Sequence, residues 1–357
     1  MSGLRQRVQF CRTPSGVRLA HSTIGEGRPL VLVSGWISHL ELDLQCPVRR
    51  HWCEALAAEW SLVRFDSRGF GLSDRDAGVQ SLDTIVEDLA AVVDHAGLKR
   101  FALLGVLDGA AAALVYAHRH PDRVSHLILH SGYVRGMLRR GSGAEADGVT
   151  RALIDQVERG WDSDHPLARD IFLSGKCPEA LPQEREHFIA CARESAIGKD
   201  AAARIRALVE IDIPEVAAAI SCPTLVTHAR DDKAPPFAEG RLMASLIPEA
   251  RFVPLPGRSN ILHRAEPAWP LWLSEVRRFL RQPSADGRQF SNLSPRESEL
   301  AMLVARGLDN AQIAAHLSIS EKTVRNHLTS IFAKLRVESR AQAIVLVREG
   351  GFRPTLQ

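Results

Sequence analysis

Residues 101–124 read FALLGVLDGAAAALVYAHRHPDRV. An apolar run, Phe101–Gly105, meets a short turn bracketed by Gly105 and Gly109, and a helical pattern follows over Ala110–Arg119. Glycine permits a sharp reversal of the backbone, so the stretch predicts a buried strand, a tight turn and a helix. Outward from this unit the same alternation recurs. Leu30–Ser34, Ser61–Asp66, Ser125–Ser131, Thr224–His228 and Arg251–Leu255 are further apolar runs, and Leu82–Ala96 is a further helical pattern. Short apolar runs alternating with helices imply a mainly parallel sheet covered on both faces. From Gly136 to about Pro214 the order gives way to polar, helical sequence, including Thr150–Arg159 and Gln183–Leu208. An insertion of that size between two core strands predicts a helical cap over a pocket.

Length and composition set the frame. A chain of 357 residues, 45% hydrophobic, is long for one domain and divides naturally into two. No segment approaches the roughly 20 apolar residues that span a bilayer. The opening MSGLRQRVQF lacks the apolar core of a signal peptide. These features predict a cytoplasmic protein without membrane contact. Cys11, Cys46, Cys53, Cys177, Cys191 and Cys222 are scattered and form no C-x-x-C pair, which predicts reduced thiols rather than a metal site or disulfide framework. Neither a metal nor a cofactor is expected. Arg281–Asn292, RQPSADGRQFSN, has the composition of a linker. The expected domains are 1–280 (cap about 136–214), the linker 281–292, and a small all-α domain over 293–357.

That last domain announces its helices through their caps. Ser294, Pro295 and Glu297 form a capping box. Asp309 with Gln312 opens a second helix, and Ser320 opens a third. In the third, Val324, Leu328, Ile331 and Leu335 make one apolar face. The opposite face carries Lys322, Arg325, Asn326, Thr329 and Ser330. Arginine and asparagine can pair bidentately with guanine and adenine edges, and lysine and hydroxyls suit phosphates. A fourth helix, Ser339–Arg348, has an apolar stripe at Ala343, Ile344 and Val347, fit to close the core or to build a dimer. From Arg288 onward ten Lys and Arg face six Asp and Glu, a net of +4, whereas the remainder nets −1. A locally basic domain is what phosphate neutralisation calls for.

The L-S-P-R-E opening, the A-x-G-L turn at Ala305–Leu308, N-x-x-I-A-x-x-L and S-x-x-T-V-R-N-H-L together resemble the helix-turn-helix domain of LuxR and FixJ-type bacterial transcription regulators. The resemblance implies double-stranded DNA as partner. It places base contacts on Arg325, Asn326 and Thr329, and phosphate contacts on Lys322, Thr323, His327 and Lys334. The alternative is a four-helix interaction module whose basic residues solvate one face.

The body resembles the α/β-hydrolase family, a doubly wound, mainly parallel sheet with a helical cap. LVLVSGW stands at the oxyanion loop, FDSRGFGLSD follows, Gly105–Gly109 forms the nucleophile elbow, CPTLVTHARDD the acid strand and LPGRSNILHRAEP the histidine loop. The family elbow is G-x-S-x-G. Here the nucleophile position holds Leu107, which has no atom able to attack a carbonyl. The acid position falls on Asp232. The base position falls on Asn260, in the register set by Glu266 and Pro267, and asparagine accepts no proton near neutral pH. The degenerate triad is thus Leu107, Asp232 and Asn260, and no catalytic residue is expected. Three groups compete to restore chemistry. Centring the elbow on Asp108 would put Val106 and Ala110 where glycines belong, while His263 and His130, the other candidate bases, are read instead as a surface residue and a pocket wall, respectively.

A scaffold that keeps its turn, its oxyanion loop and a cap retains a largely apolar cavity at the strand ends. Expected ligand-lining residues are Ser34, Gly35, Trp36, Leu107, Asp108, His130 and Asn260, with Trp161 and Phe172 from the cap, where core packing is the competing role. The sequence therefore predicts a ligand-responsive, dimeric transcription regulator whose hydrolase-like body binds a small, mainly apolar molecule. Two alternatives stand beside it: an active α/β-hydrolase-fold enzyme fused to a DNA-binding domain, and a body serving only as a dimerisation module.

Overall fold

Apolar residues in the central strands alternate between two helical layers, and that alternation organises the first part of the molecule. In the computed structural model, which describes residues 4–141, 143–162, 176–282, 293–335 and 337–349, the chain forms two compact units, divided between Leu280 and Arg281.

The first unit is built on an eight-stranded sheet: β1 (Arg7–Arg12), β2 (Arg18–Ile24), β3 (Pro29–Val33), β4 (Ser61–Phe65), β5 (Phe101–Val106), β6 (Val124–His130), β7 (Thr224–Ala229) and β8 (Arg251–Leu255). Their order is β1-β2-β4-β3-β5-β6-β7-β8. Strands β3 to β8 run parallel, and β1 and β2 add an antiparallel edge. Val31, Leu103, Leu127 and Val226 face one cluster, which includes residues of α2 (Leu82–His95) and α3 (Gly109–Arg119). Leu30, Leu104, Ile128 and Leu225 face the other, beside α1 (Pro47–Ala57) and a helix at Ala268–Leu280. Period-two alternation between two buried faces is the signature of a sheet covered on both sides.

Between β6 and β7 the insertion folds as α4 (Ala144–Gly160), α5 (Pro182–Ser195), α6 (Gly198–Val209) and the short α7 (Pro214–Ala218). An isolated bridge between Arg135 and Asp212 ties its ends together. The span read as one pattern over Gln183–Leu208 is two helices, because Ala196 is extended at φ −150° and ψ 158°. The parallel part is completed by α8 (Phe237–Leu246) and by α9 (Ala268–Leu280).

The second unit contains α10 (Pro295–Ala305), α11 (Asn310–Leu317), α12 (Glu321–Leu335) and α13 (Arg340–Glu349). Ser294 Oγ accepts the Glu297 amide, and Glu297 returns the bond to the Ser294 amide at 2.7 Å, closing the capping box. Asp309 and Gln312 repeat the device at α11. Ser320 Oγ accepts the Thr323 amide at 3.1 Å ahead of α12. The buried Val324, Leu328, Ile331 and Leu335 pack with Leu300, Val304, Ile313 and Val347 into a core of their own. No helix among the described residues is long and apolar enough to cross a membrane.

Candidate functional site

Strand β5 delivers the chain to the elbow at Val106, and α3 leaves from Gly109. Both flanking glycines are required by close approach. A Cβ on Gly105 would lie 2.5 Å from the Ala110 Cα, and one on Gly109 would lie 2.2 Å from the Val33 carbonyl oxygen. Leu107 sits at the apex with φ 55°, in the left-handed region. That conformation costs an L-residue about 1–2 kcal/mol. Its amide donates to the His130 carbonyl at 2.9 Å, which anchors the turn on β6. The sharp turn thus persists around a side chain without a nucleophilic atom.

The oxyanion loop, Ser34–Trp36, lies against this turn: a Cβ on Gly35 would meet Leu107 Cβ at 3.0 Å. Trp36 directs its backbone N–H at the Asp108 carboxylate, Oδ1, at 2.7 Å. A carboxylate of the protein itself therefore occupies the donor that the oxyanion loop presents. Burial pushes the Asp108 carboxyl up from its ordinary range, while the Arg204 guanidinium and the Trp36 amide pull it back. Arg204 is held over the Phe70 ring at 5.0 Å and donates to Gln80 at 3.1 Å. The sequence placed Asp108 among the ligand-lining groups. Its partnership with Trp36, across 72 positions of chain, has no local signature beyond an acidic residue next to the apex.

Asp232 and Asn260, read from sequence as the acid and base positions, lie side by side. Asn260 Nδ2 donates to Asp232 Oδ1 at 3.3 Å and to the Ala234 carbonyl at 3.0 Å. Asp232 also accepts the Ala234 amide at 2.9 Å and has His228 Nε2 3.6 Å from its other oxygen. Burial pushes the Asp232 carboxyl up.

Neither competing histidine faces that pair with a free nitrogen. His130 is fully buried. Its Nε2 meets the Asn260 carbonyl at 3.0 Å and its Nδ1 meets the Thr227 hydroxyl at 2.9 Å, so Nε2 carries the proton and Nδ1 accepts. Burial, with His228 nearby, pushes its pKa down to about 3. His263 Nε2 lies 3.0 Å from Glu184 on α5, and its Nδ1 accepts the Ala265 amide at 3.3 Å.

A cavity of about 70 Å³ opens beside the elbow. Ser34, Gly35, Trp36 and Leu107 line it, together with Trp52, Ile261, Phe188 from α5 and Lys176. Asp108, His130 and Asn260 are buried around it rather than on its wall. Trp161 is fully buried, meets Trp36 edge to face at 5.2 Å and donates its indole N–H to the Ala196 carbonyl. Phe172 lies outside the described residues. Sequence reasoning missed Lys176, whose ammonium burial pushes down while Asp232 and Asp108 pull it back up. No cluster of three or more His, Cys, Asp or Glu fit to hold a metal occurs among the described residues.

The sequence model of the alpha/beta hydrolase fold matches residues 28–262, about two thirds of the chain. The chain belongs to that family. The AB hydrolase superfamily protein YisY of Bacillus subtilis is 28% identical over 252 residues, covering 69% of this chain and 89% of that protein. The putative carbamate hydrolase RutD of Klebsiella pneumoniae is 30% identical over 220 residues, covering 57% of this chain and 75% of that protein. A thermophilic esterase from Thermogutta terrifontis superposes with a TM-score of 0.64 at 25% identity, over 77% of this chain and 98% of that one. Residues 291–347 match the model of bacterial regulatory proteins of the luxR family. The second unit is a luxR-family helix-turn-helix domain, joined here to an alpha/beta hydrolase fold.

In that domain, the face of α12 opposite the core exposes Lys322, Arg325, Asn326 and Thr329, while Thr323 and His327 are half-buried. The Thr329 hydroxyl donates back to the Arg325 carbonyl at 3.1 Å. Lys334 is differently engaged. Its ammonium contacts both carboxylate oxygens of Glu297, at 2.8 and 2.6 Å, and Ser330 donates to the same carboxylate at 2.7 Å. Burial pushes the Glu297 carboxyl up, but the bonds from Lys334, Ser294 and Ser330 outweigh it and hold its pKa at about 2. Lys334 therefore joins α12 to α10 within the domain, an arrangement that competes with the phosphate contact read from sequence.

Proposed function

We propose that this protein is a cytoplasmic, ligand-responsive transcription regulator whose hydrolase-fold unit binds a small apolar molecule without turning it over. One observation carries the reading: the Trp36 amide is capped by Asp108 while Leu107 holds the elbow. An oxyanion hole works by presenting unfilled donors to a developing negative charge. A donor already paired with the Asp108 carboxyl is not open to that charge. Asn260 beside Asp232 adds a hydrogen-bonding pair in which the base position carries an amide rather than an imidazole.

The cavity constrains the ligand. Drug-sized sites enclose roughly 300–1,000 Å³, and an engineered cavity of about 150 Å³ admits benzene. A space of about 70 Å³ holds only a few heavy atoms unless Leu107, Phe188 or Ile261 moves. Ligand entry that displaces such side chains gives the differential stability of two states that coupling to DNA binding requires. The DNA-binding face is Arg325, Asn326 and Thr329 toward bases, with Lys322, Thr323 and His327 toward phosphates. Two copies would read a two-fold site.

The names of the relatives favour a second reading, an active hydrolase with a DNA-binding tail. One experiment separates the two. Purified chain is offered p-nitrophenyl esters and a serine-reactive fluorophosphonate. The regulator reading expects no turnover and no label, and turnover abolished by Asp232→Asn would establish the enzyme.

A further inference from the structure

Helix α1 begins at Pro47 with Cys46 as its N-cap, and α5 of the cap packs across it. The contact brings two thiols together. The Cys46 amide donates to the Leu42 carbonyl at 2.8 Å, Cys191 Sγ lies 4.0 Å from the same oxygen, and the two thiols interact side chain to side chain. Around Cys46 the chain supplies what a thiolate needs. The Val48 amide donates to its sulfur, the Arg49 guanidinium stands on the same turn, and the first turn of an eleven-residue helix offers its positive end. The bond with Cys191, and after it the Arg49 guanidinium and the Val48 amide, pull the Cys46 thiol below its ordinary range against burial and Asp43, whereas the same bond and burial push Cys191 up. Cys11, Cys53, Cys177 and Cys222 are all buried and raised by burial.

Cys53 stands on the cavity wall, whereas Cys46 and Cys191 lie off it, next to residues that line it. Arg49 lies over the Phe188 ring at 5.2 Å, and both residues line the cavity, with Phe188 one turn before Cys191 on α5. Cys46 is fully buried and Cys191 is 9% exposed, so only a small oxidant reaches them. A peroxide occupies about the room of two waters, each with a share of roughly 30 Å³, and the cavity offers about 70 Å³.

We propose that Cys46 and Cys191 form a peroxide-responsive modification site, closing to a disulfide that joins the core helix α1 to the cap helix α5. The Cys46 thiolate attacks one oxygen of hydrogen peroxide, the O–O bond breaks, and Cys46 sulfenic acid and hydroxide result. The Cys191 thiol then attacks the sulfenic sulfur. Its proton leaves with the displaced hydroxyl as water, and the S–S bond forms. The two cysteines lose two electrons, which the peroxide takes up as it ends as water.

The test uses the full, reduced chain treated with hydrogen peroxide, alkylated, and digested without reductant. The expected product is a Cys46–Cys191 cross-linked peptide with the other four cysteines alkylated. In Cys191→Ser the cross-link is lost and Cys46 accumulates as a dimedone-trapped sulfenic acid. In Cys46→Ser neither cross-link nor dimedone adduct forms at Cys191. Six alkylated thiols after peroxide, a disulfide between any other pair, or sulfenic acid arising first elsewhere would overturn the assignment. The wild-type peptide map decides this even if a serine variant fails to fold.

Discussion

Leu107 holds a backbone conformation that its side chain disfavours, and Asp108 places a carboxylate where an oxyanion donor points. Their effects separate in a restoration series. Leu107→Ser with Asn260→His rebuilds nucleophile and base beside Asp232, yet leaves the Trp36 amide capped. The pair alone should remain nearly inactive on p-nitrophenyl esters, and adding Asp108→Ala should raise kcat by about 100-fold or more, the worth of one oxyanion donor. Equal rates for the double and triple variants would show that Asp108 does not block the site. A second residue-scale prediction concerns Glu297, whose pKa of about 2 lies below the unfolded value near 4.3. Its contribution to stability is fully present above the unfolded value and is lost as pH falls through about 2. Glu297→Gln should weaken α10 and α12 by about 1–3 kcal/mol near neutral pH, read as lost amide exchange protection in the full chain. The gap between variant and wild type should close toward pH 2. That Leu107 heads the turn and that Asn260 meets Asp232 followed from motif register. The Asp108–Trp36 bond and the Lys334–Glu297 pair were not, since each joins side chains and backbone far apart in sequence.

At the scale of elements, the elbow unit and the four terminal helices follow from local chemistry. Glycines stand where a Cβ would strike backbone, and cap residues stand where helices begin. Gly109→Ala should cost about 1–3 kcal/mol through overpacking against Val33 and Ser34. Denaturation followed by tryptophan fluorescence checks this for the first unit alone, because all six tryptophans precede residue 281. An unchanged midpoint would mean α3 shifts freely. Strands β1 and β2 escaped sequence reading. Much of β1 is exposed, and neither RVQFCR nor RLAHSTI presents a continuous apolar run. On α12 the proposed roles divide by partner. Arg325→Ala should lose about 1–3 kcal/mol and relax preference at one base position, whereas Lys322→Ala should weaken all sequences alike. Lys334→Ala should instead lower the domain's stability, with little change in base preference, as binding assays over a panel of single-base operator variants would reveal.

For the whole molecule, a hydrolase fold and a luxR-family DNA-binding domain lie on one chain, and the division between the two units falls beside a polar stretch that separates two differently patterned regions. The size of the cavity was not legible. It depends on how Leu107, Trp36, Phe188 and Ile261 pack together from four separate parts of the chain. The central claim is that ligand occupancy of the hydrolase-fold unit sets DNA affinity. The most direct measurement is fluorescence anisotropy on the DNA that the chain selects from a random pool, across small apolar compounds that quench the Trp36 and Trp52 region. The account predicts a shift in Kd of about fivefold or more for at least one compound, the lower range of allosteric coupling, and no shift in a cavity-filled Leu107→Phe variant. Compounds that bind the first unit yet leave DNA affinity unchanged, or that act equally on wild type and the filled variant, would contradict it.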